Sequence, residues 1–374
     1  MREEGSEDRE TPPRKLSYGA QAVDQSDIDA VVEILRGDWL TQGPAVTAFE
    51  EAIREATTAR YAVAFSSGTA ALHAAAAAAG LGQGDVVATS ALTFSASAAC
   101  ARYVGATPTL LDVDPETLNL DPAAVPDGLD GLVAVHYAGL PIDLAQLKNR
   151  PRVVIEDACH AFGATTPTGP VGSCEHSDMT AFSFHPVKPI TTCEGGAVTT
   201  NDPVLFENLR QFRNHGIVRR PEVDPWYYEV SSLGFNYRLS DVQAALGVSQ
   251  IGKLSRFIGR RNEIAATYRR GLDGSNVTLP PAAPQGWTHG YHLFAVRVPE
   301  RRRVFDFLVG RGIVPQVHYV PIHHHPVYAD LGFGPTDLPN VEAAYRQLLS
   351  VPMHPSLTDD DVDRVIAALT EATA

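Results

Sequence analysis

The sequence is poor in cysteine and methionine, with four Cys and three Met in 374 residues. Cys100, Cys159, Cys174 and Cys193 include no C-x-x-C pair, so the spacing fits no zinc motif, and a chain this long needs no disulfide staples. Reduced thiols in a cytoplasmic protein are expected. Basic residues are also scarce: 30 Lys and Arg stand against 44 Asp and Glu, for a net charge of -14. A general nucleic-acid binder needs a basic face, so that class is excluded as a first reading. Long hydrophobic runs are missing too. The Ala74–Ala79 stretch is too weakly apolar for a membrane span. Residues 1–15 are charged throughout without an apolar segment, and read as a disordered tail rather than a signal peptide. There is no internal repeat and no low-complexity tract.

What is present is a globular composition, 44% hydrophobic, enough to bury a large core. Gln25–Arg36 reads as a helix capped by Ser26, with Ile28, Val31, Val32 and Leu35 on one face and Gly37 as its stop. Val46–Ala56 reads as a second helix. From Tyr61 short apolar runs alternate with helical segments: Tyr61–Phe65, Val86–Thr89, Thr107–Val113, Leu132–His136 and Val153–Glu156. Runs of that length between helices predict a mostly parallel, buried sheet. Met179–His185 and Gly195–Thr200 read as neighbouring strands with Lys188 in the loop between them. Pro203–Asn214 and one long stretch, Asp241–Arg270, read as helices. Beyond a Pro-rich joint at Val277–Pro284 come strand Tyr291–Val298, helix Arg302–Gly310, strand Val314–Tyr319, and helices Val341–Leu349 and Asp359–Thr370. The fold expected is α/β, with a large domain at 16–255 and a smaller α+β domain at 256–374; the N-terminal helix is a candidate to pack with the latter.

Four segments carry candidate chemistry. Ser66-Ser67-Gly68-Thr69 lies between a strand and a helix, where small residues and a helix N-terminus favour an anion; such turns are also small for steric reasons alone. Asp157 ends the apolar strand Val153–Glu156, at the crevice where α/β proteins bind ligands. A carboxylate there either holds a pyridine nitrogen protonated or caps the next helix. Lys188, in Ser183-Phe184-His185-Pro186-Val187-Lys188-Pro189, is flanked by apolar residues and prolines. Partial burial lowers a lysine pKa and makes it a nucleophile toward an aldehyde, whereas a snorkelling lysine at a strand end is the plain alternative. In Leu233-Gly234-Phe235-Asn236-Tyr237-Arg238-Leu239-Ser240, Asn236 and Arg238 are candidate anion ligands, and Ser240 caps the following helix.

Together, in this order, the four segments resemble the fold type I pyridoxal-phosphate enzymes, and within them the sugar aminotransferases of the DegT/StrS group. The resemblance runs from about Leu16 to Ala368. It includes Asp38-Trp39-Leu40-Thr41-Gln42-Gly43-Pro44, Leu92-Thr93-Phe94, His318-Tyr319-Val320-Pro321 and Val351-Pro352-Met353-His354. The Ser183–Lys188 phrase and Trp226-Tyr227-Tyr228-Glu229 look most like one branch, which aminates a UDP-linked 4-keto-6-deoxy-N-acetylhexosamine in the pseudaminic-acid pathway. The resemblance implies pyridoxal 5′-phosphate as cofactor, with pyridoxamine phosphate as its intermediate form. It implies Lys188 as the Schiff-base lysine and proton shuttle, and Asp157 as partner of the pyridinium nitrogen. It also implies Phe94 on the ring face, His160 near the ring hydroxyl, and Ser67, Gly68, Thr69 and Ser183 at the phosphate. Asn236 would reach the cofactor of a neighbouring subunit, making a homodimer with a shared site. Thr41, Tyr228, Arg238, His318 and Tyr319 are the substrate-side candidates. L-glutamate and a nucleotide keto sugar are the expected substrates, with no nucleic-acid or membrane partner.

Other readings stay open at this point. A dTDP-linked keto sugar or a cyclitol ketone is an alternative acceptor. A pyridoxal-phosphate lyase or dehydratase, or a non-catalytic sensor that binds the cofactor, is an alternative class; Lys188 speaks against the family's sugar dehydratases, which carry His there. Cys193, where Gly, Ala or Ser is expected, reads as a buried neutral thiol. His323-His324-His325 looks like a metal site, but adjacent residues in an extended loop do not readily face one ion, so no metal is expected.

Overall fold

Short runs of small and β-branched residues, buried on both faces, build the central layer. The computed structural model describes residues 14–374, so the expected tail at 1–15 lies almost wholly outside it. Seven strands form one sheet in the order Tyr61–Phe65, Gly196–Thr200, Met179–Ser183, Val153–Asp157, Gly131–Val135, Val86–Ser90, Thr107–Leu111. Gly196–Thr200 runs antiparallel to both its neighbours, and every other pairing is parallel. Burial on both faces explains why these strands read as unbroken apolar runs rather than alternating ones. The alanine-rich helix Gly68–Ala78 packs on Met179–Ser183 and Gly196–Thr200. On the opposite face lie the helices Pro44–Thr57 and Asp241–Ile251, against Phe182, Phe184 and Phe162.

Several local expectations are corrected. The helix Gln25–Arg36 is capped by Asp24, not Ser26, in a capping box closed by Asp27. Its apolar stripe is not buried: Ile28 and Leu35 are exposed, and the fully buried residue is Asp27. Asp27 accepts hydrogen bonds from Ser249 and Gln250 and pairs with Lys253, which fixes this helix on Asp241–Ile251. The long helix expected at 241–270 is two, Asp241–Ile251 and Leu254–Gly271, broken at Gly252-Lys253. Of the strand expected at 314–319 only Ile313–Val314 forms, and the helix Pro339–Gln347 stops early to give the strand Leu348–Val351.

The C-terminal unit centres on the antiparallel pair Phe294–Arg297 and Leu348–Val351. Its core includes Tyr268, Phe294, Leu308, Leu349, Met353 and Leu369. Leu16 belongs to that same core, and Leu16–Ser17 pairs in parallel with Ile313–Val314. Among the described residues, no helix is long and apolar enough to cross a membrane.

Candidate active site

The site forms where three strands of the sheet end beside one helix N-terminus. Val153–Asp157 is buried along its length and delivers Asp157 at its end. Asp157 Oδ2 accepts a hydrogen bond from Ser97 Oγ at 2.6 Å, and Oδ1 accepts one from the Cys159 backbone N–H at 3.2 Å. Ser97 is itself bonded to Thr93 at 2.8 Å. The carboxylate is thus held in place by neutral donors, with no ion-pair partner among the described residues.

Strand Tyr61–Phe65 hands the chain to Ser67, which caps the helix Gly68–Ala78 by accepting from the Ala70 N–H at 3.1 Å. Gly68 is required by space. A Cβ there would sit 2.7 Å from Ser183 Cβ and 3.3 Å from Cys159 Sγ. Gly196 is required equally, since its Cβ would lie 2.3 Å from the Ser67 carbonyl oxygen. Ser67, Gly68, Ser183 and Cys159 are therefore packed together at a helix N-terminus whose free N–H groups favour an anion.

Lys188 sits in the loop between Met179–Ser183 and Gly196–Thr200. The loop is braced by its own backbone: Phe184 N–H donates to Gly195 O, Thr192 N–H to Phe184 O, and Lys188 N–H to His185 O. Desolvation holds the Lys188 pKa below the ordinary lysine value, against the opposing field of nearby Asp157. A lysine so placed is more readily a neutral amine and nucleophile than a solvated one. Burial, followed by the neighbouring charge of Lys188, lowers the His160 pKa well below its usual value. His160 Nε2 is 2.8 Å from the Tyr319 hydroxyl, and its buried Nδ1 has no hydrogen-bond partner. Burial likewise pushes the Tyr319 hydroxyl well above the usual tyrosine range.

A cleft of about 870 Å³ opens beside these groups, lined by Phe94, His318 and Tyr319 among others. Phe94 is 55% exposed, with its ring centroid 5.9 Å from that of Tyr319. His318 Nδ1 lies 2.9 Å from Ser350 Oγ, and burial lowers its pKa to about 3. The structure thus brings together Ser67, Gly68, Ser183, Asp157, His160 and Lys188, with Phe94, His318 and Tyr319 at the mouth; Thr69 follows Gly68 in the first turn of the helix. It does not bring Thr41, Tyr228, Asn236 or Arg238 to this place within one protomer. Thr41 bridges to Ser240, and Asn236 to Asn214. Arg238 donates to Asn214 Oδ1 at 2.7 Å and lines a separate recess with Arg210 and Arg213. Tyr228 stands in an exposed hairpin formed with Ile217–Arg219. Cys193 is exposed rather than buried, which corrects that expectation. The residue missed from sequence is Ser97. It carries no local signal, because its contact to Asp157 is made across 60 residues; Thr93, which holds Ser97, stood in the Leu92-Thr93-Phe94 piece but was given no role.

The arrangement fits pyridoxal phosphate on its own features: a desolvated amine, a buried carboxylate held by neutral donors, a glycine-dependent cradle at a helix N-terminus, and an orphaned imidazole nitrogen. With a mostly parallel sheet presenting them, these features define a fold type I, pyridoxal-phosphate-dependent aminotransferase. The chain belongs to the DegT/DnrJ/EryC1/StrS aminotransferase family, whose sequence pattern matches residues 21–370. It is 37% identical to the spore coat polysaccharide biosynthesis protein SpsC of Bacillus subtilis, over 95% of this chain and 96% of that one. It is similar in structure to Helicobacter pylori PseC, an aminotransferase involved in the biosynthesis of pseudoaminic acid. That match has 30% identity and a TM-score of 0.89, over 96% of this chain and 99% of PseC. Spr1654 of Streptococcus pneumoniae, solved in its PLP form, matches with 27% identity and a TM-score of 0.89 over 96% of this chain and 98% of its own.

Proposed function

We propose that this sugar aminotransferase moves the amino group of L-glutamate to the 4-keto group of a UDP-linked 4-keto-6-deoxy-N-acetylhexosamine. The chemistry is supported by Lys188, desolvated in a loop braced by its own backbone and within the field of Cys159 and Asp157, with Cys159 packed against Gly68. The acceptor is supported by the likeness to PseC and by the Ser183–Lys188 and Trp226–Glu229 phrases. In this reading Lys188 would hold the cofactor and, as a free amine, would move a proton to and from the substrate carbon as general base and acid. Asp157 would keep the pyridine nitrogen protonated, and His160 with Tyr319 would address the ring hydroxyl. Ser67, Gly68, Thr69 and Ser183 would bind the phosphate, and Phe94 would cover the ring. Bound pyridoxal phosphate would supply an electron sink. His318 and Tyr319 belong to the sugar-nucleotide side.

The reading includes a homodimer with a shared site. Asn236, Arg238, Thr41 and Tyr228 lie on an exposed surface, and in a dimer they serve the neighbour's cofactor and substrate. A cytoplasmic location, with no nucleic-acid or membrane partner, completes it; the net charge of -14 speaks against general nucleic-acid binding.

The test is a panel of purified keto-sugar nucleotides with glutamate. Best turnover is expected on the UDP-linked 4-keto-6-deoxy-N-acetylhexosamine. Product only with a dTDP-linked sugar or a cyclitol ketone overturns the acceptor and leaves the class standing. Lys188→Ala is expected to lose at least about 100-fold in turnover, since a positioned acid or base contributes about 100- to 10,000-fold. It should also lose the visible band that glutamate bleaches in the wild type.

A further inference from the structure

The run His323-His324-His325 does not lie in the extended loop expected from sequence. Ile322–His324 is a single 3-10 turn. His323 Nε2 and His324 Nε2 lie 2.9 and 2.5 Å from the same atom, Oε1 of Glu342. Their rings meet edge to face with centroids 4.6 Å apart. Glu342 comes from the first turn of the helix Pro339–Gln347. It is buried, and its only ion-pair partners among the described residues are these two imidazoles, with no Lys or Arg beside it.

We propose that His323, His324 and Glu342 bind a divalent cation of the zinc type, outside the catalytic cleft. Two imidazoles and one carboxylate are a zinc donor set, and imidazole selects Zn²⁺, Ni²⁺ or Cu²⁺ over Mg²⁺ or Ca²⁺. One donor atom from each residue lies within 4.8 Å of the others. Bonds of about 2.0–2.1 Å in a tetrahedron set donors roughly 3.3 Å apart, so the two imidazole contacts to Glu342 would open by under about 1 Å as the donors gather round the ion. The movable partner is His324, whose side chain is 31% exposed against 2% for His323. That exposure also gives the entry path and the fourth, open position. A cation supplies the positive charge that the buried carboxylate otherwise lacks.

The consequence is mechanical. His325 and Val327, just past the turn, line the substrate-side cleft with Tyr319. The helix carrying Glu342 is itself fixed, since Asp112 accepts from the backbone N–H groups of Asn340 and Val341 at 3.0 and 2.9 Å. The cation therefore ties the wall of the cleft to an anchored helix.

Two imidazole N–H groups donating to one carboxylate oxygen, without any ion, give the same distances, and the experiment separates the two. Untagged holoenzyme is stripped with a chelator and then titrated with Zn²⁺ against a chromogenic chelator, and separately with Co²⁺ as a spectroscopic probe. Neither donor nor keto sugar is present, so the outcome is independent of the proposed substrate. The expected result is one equivalent bound, tetrahedral cobalt bands, and slower hydrogen exchange in residues 326–331. His324→Ala, an exposed change that leaves the core intact, is expected to weaken Zn²⁺ binding by more than about 100-fold. Loss of a group that merely orients a ligand already costs about 10- to 100-fold. Glu342→Gln should do the same. Absence of stoichiometric uptake by the wild type, or uptake unchanged in His324→Ala, overturns the site.

Discussion

Asp157 owes its readiness to a neighbour 60 positions away, because the Ser97 hydroxyl donates to it at 2.6 Å. A hydrogen bond to a charged group contributes about 1.5–3 kcal/mol. Ser97→Ala is therefore expected to lower turnover by about 10-fold or more with circular dichroism unchanged. Asp157→Asn should fall further, because the ring nitrogen loses its anionic partner altogether. Equal rates for wild type and both variants would reduce this carboxylate to a helix cap. Lys188 and Asp157 were legible in the sequence because each breaks a local rule: a lysine among prolines, an acid closing an apolar strand. Ser97 breaks none. It is a serine near the start of a small helix, and only the approach of Val153–Asp157 gives it a role. The misplaced cap at Gln25–Arg36 has a similar cause. Asp24 and Ser26 are both good caps two positions apart, and buried Asp27 decides between them by closing the box on Asp24.

Among the elements, Val153–Asp157 carries a second buried acid that the chemistry does not use. Glu156 accepts from His136 Nε2 at 2.7 Å, Ser177 Oγ at 2.5 Å and Thr180 Oγ1 at 2.9 Å. The Ile142 N–H donates to His136 Nδ1 at 3.0 Å, so the imidazole carries its hydrogen on Nε2, toward the acid. Burial works to raise the Glu156 pKa, but the three donors prevail and hold it below the usual value. A carboxyl with a lowered folded pKa gives stability that is whole above its unfolded pKa, about 4.3, and lost as pH falls through the folded one. Glu156→Gln is expected to cost about 2–3 kcal/mol near neutrality. In urea unfolding series the gap from wild type should shrink below about pH 4; a gap that widens there contradicts the sign. At the junction of the helices Pro44–Thr57 and Asp241–Ile251, an added Cβ on Gly247 would lie 2.4 Å from the ring of Phe49. Alanine gains up to about 1 kcal/mol in helix propensity, but overpacking costs about 1–3 kcal/mol. Gly247→Ala should thus lower the melting temperature. The seven strands were legible because each is a short apolar run closed by small or polar residues. The hairpin of Ile217–Arg219 with Tyr228–Val230 was not. Its strands are only three residues each, too short for a period to show, and the second is exposed throughout.

For the whole molecule, several large apolar side chains are out of keeping with an isolated protomer. Leu233 is 90% exposed and Trp226 74%, with Trp39, Leu40 and Phe235 also exposed. Exposed apolar area of this kind marks interaction sites, and the dimer proposed above would cover Leu233 beside Asn236. Leu233→Asp is expected to shift the protein from dimer to monomer in sedimentation velocity. Cofactor retention should fall with it, because Asn236 would no longer reach the neighbouring site. A monomeric wild type with full activity would refute the shared arrangement. The charge balance and the α/β alternation were readable at this scale, whereas the break at Gly252-Lys253, where Gly252 ends one helix and Leu254 starts the next, was not.

The pairing of Leu16–Ser17 with Ile313–Val314 has a consequence for how the chain comes into being. Leu16 and Tyr18 donate their N–H groups to Gly312 and Val314, and Met353 donates back to Tyr18. Leu16 and Tyr18 are made well before Gly312, Val314 and Met353, and their backbone groups therefore wait for these later residues to be satisfied. The unit built around Phe294–Arg297 and Leu348–Val351 lacks one strand of its own fabric until Leu16–Ser17 joins it.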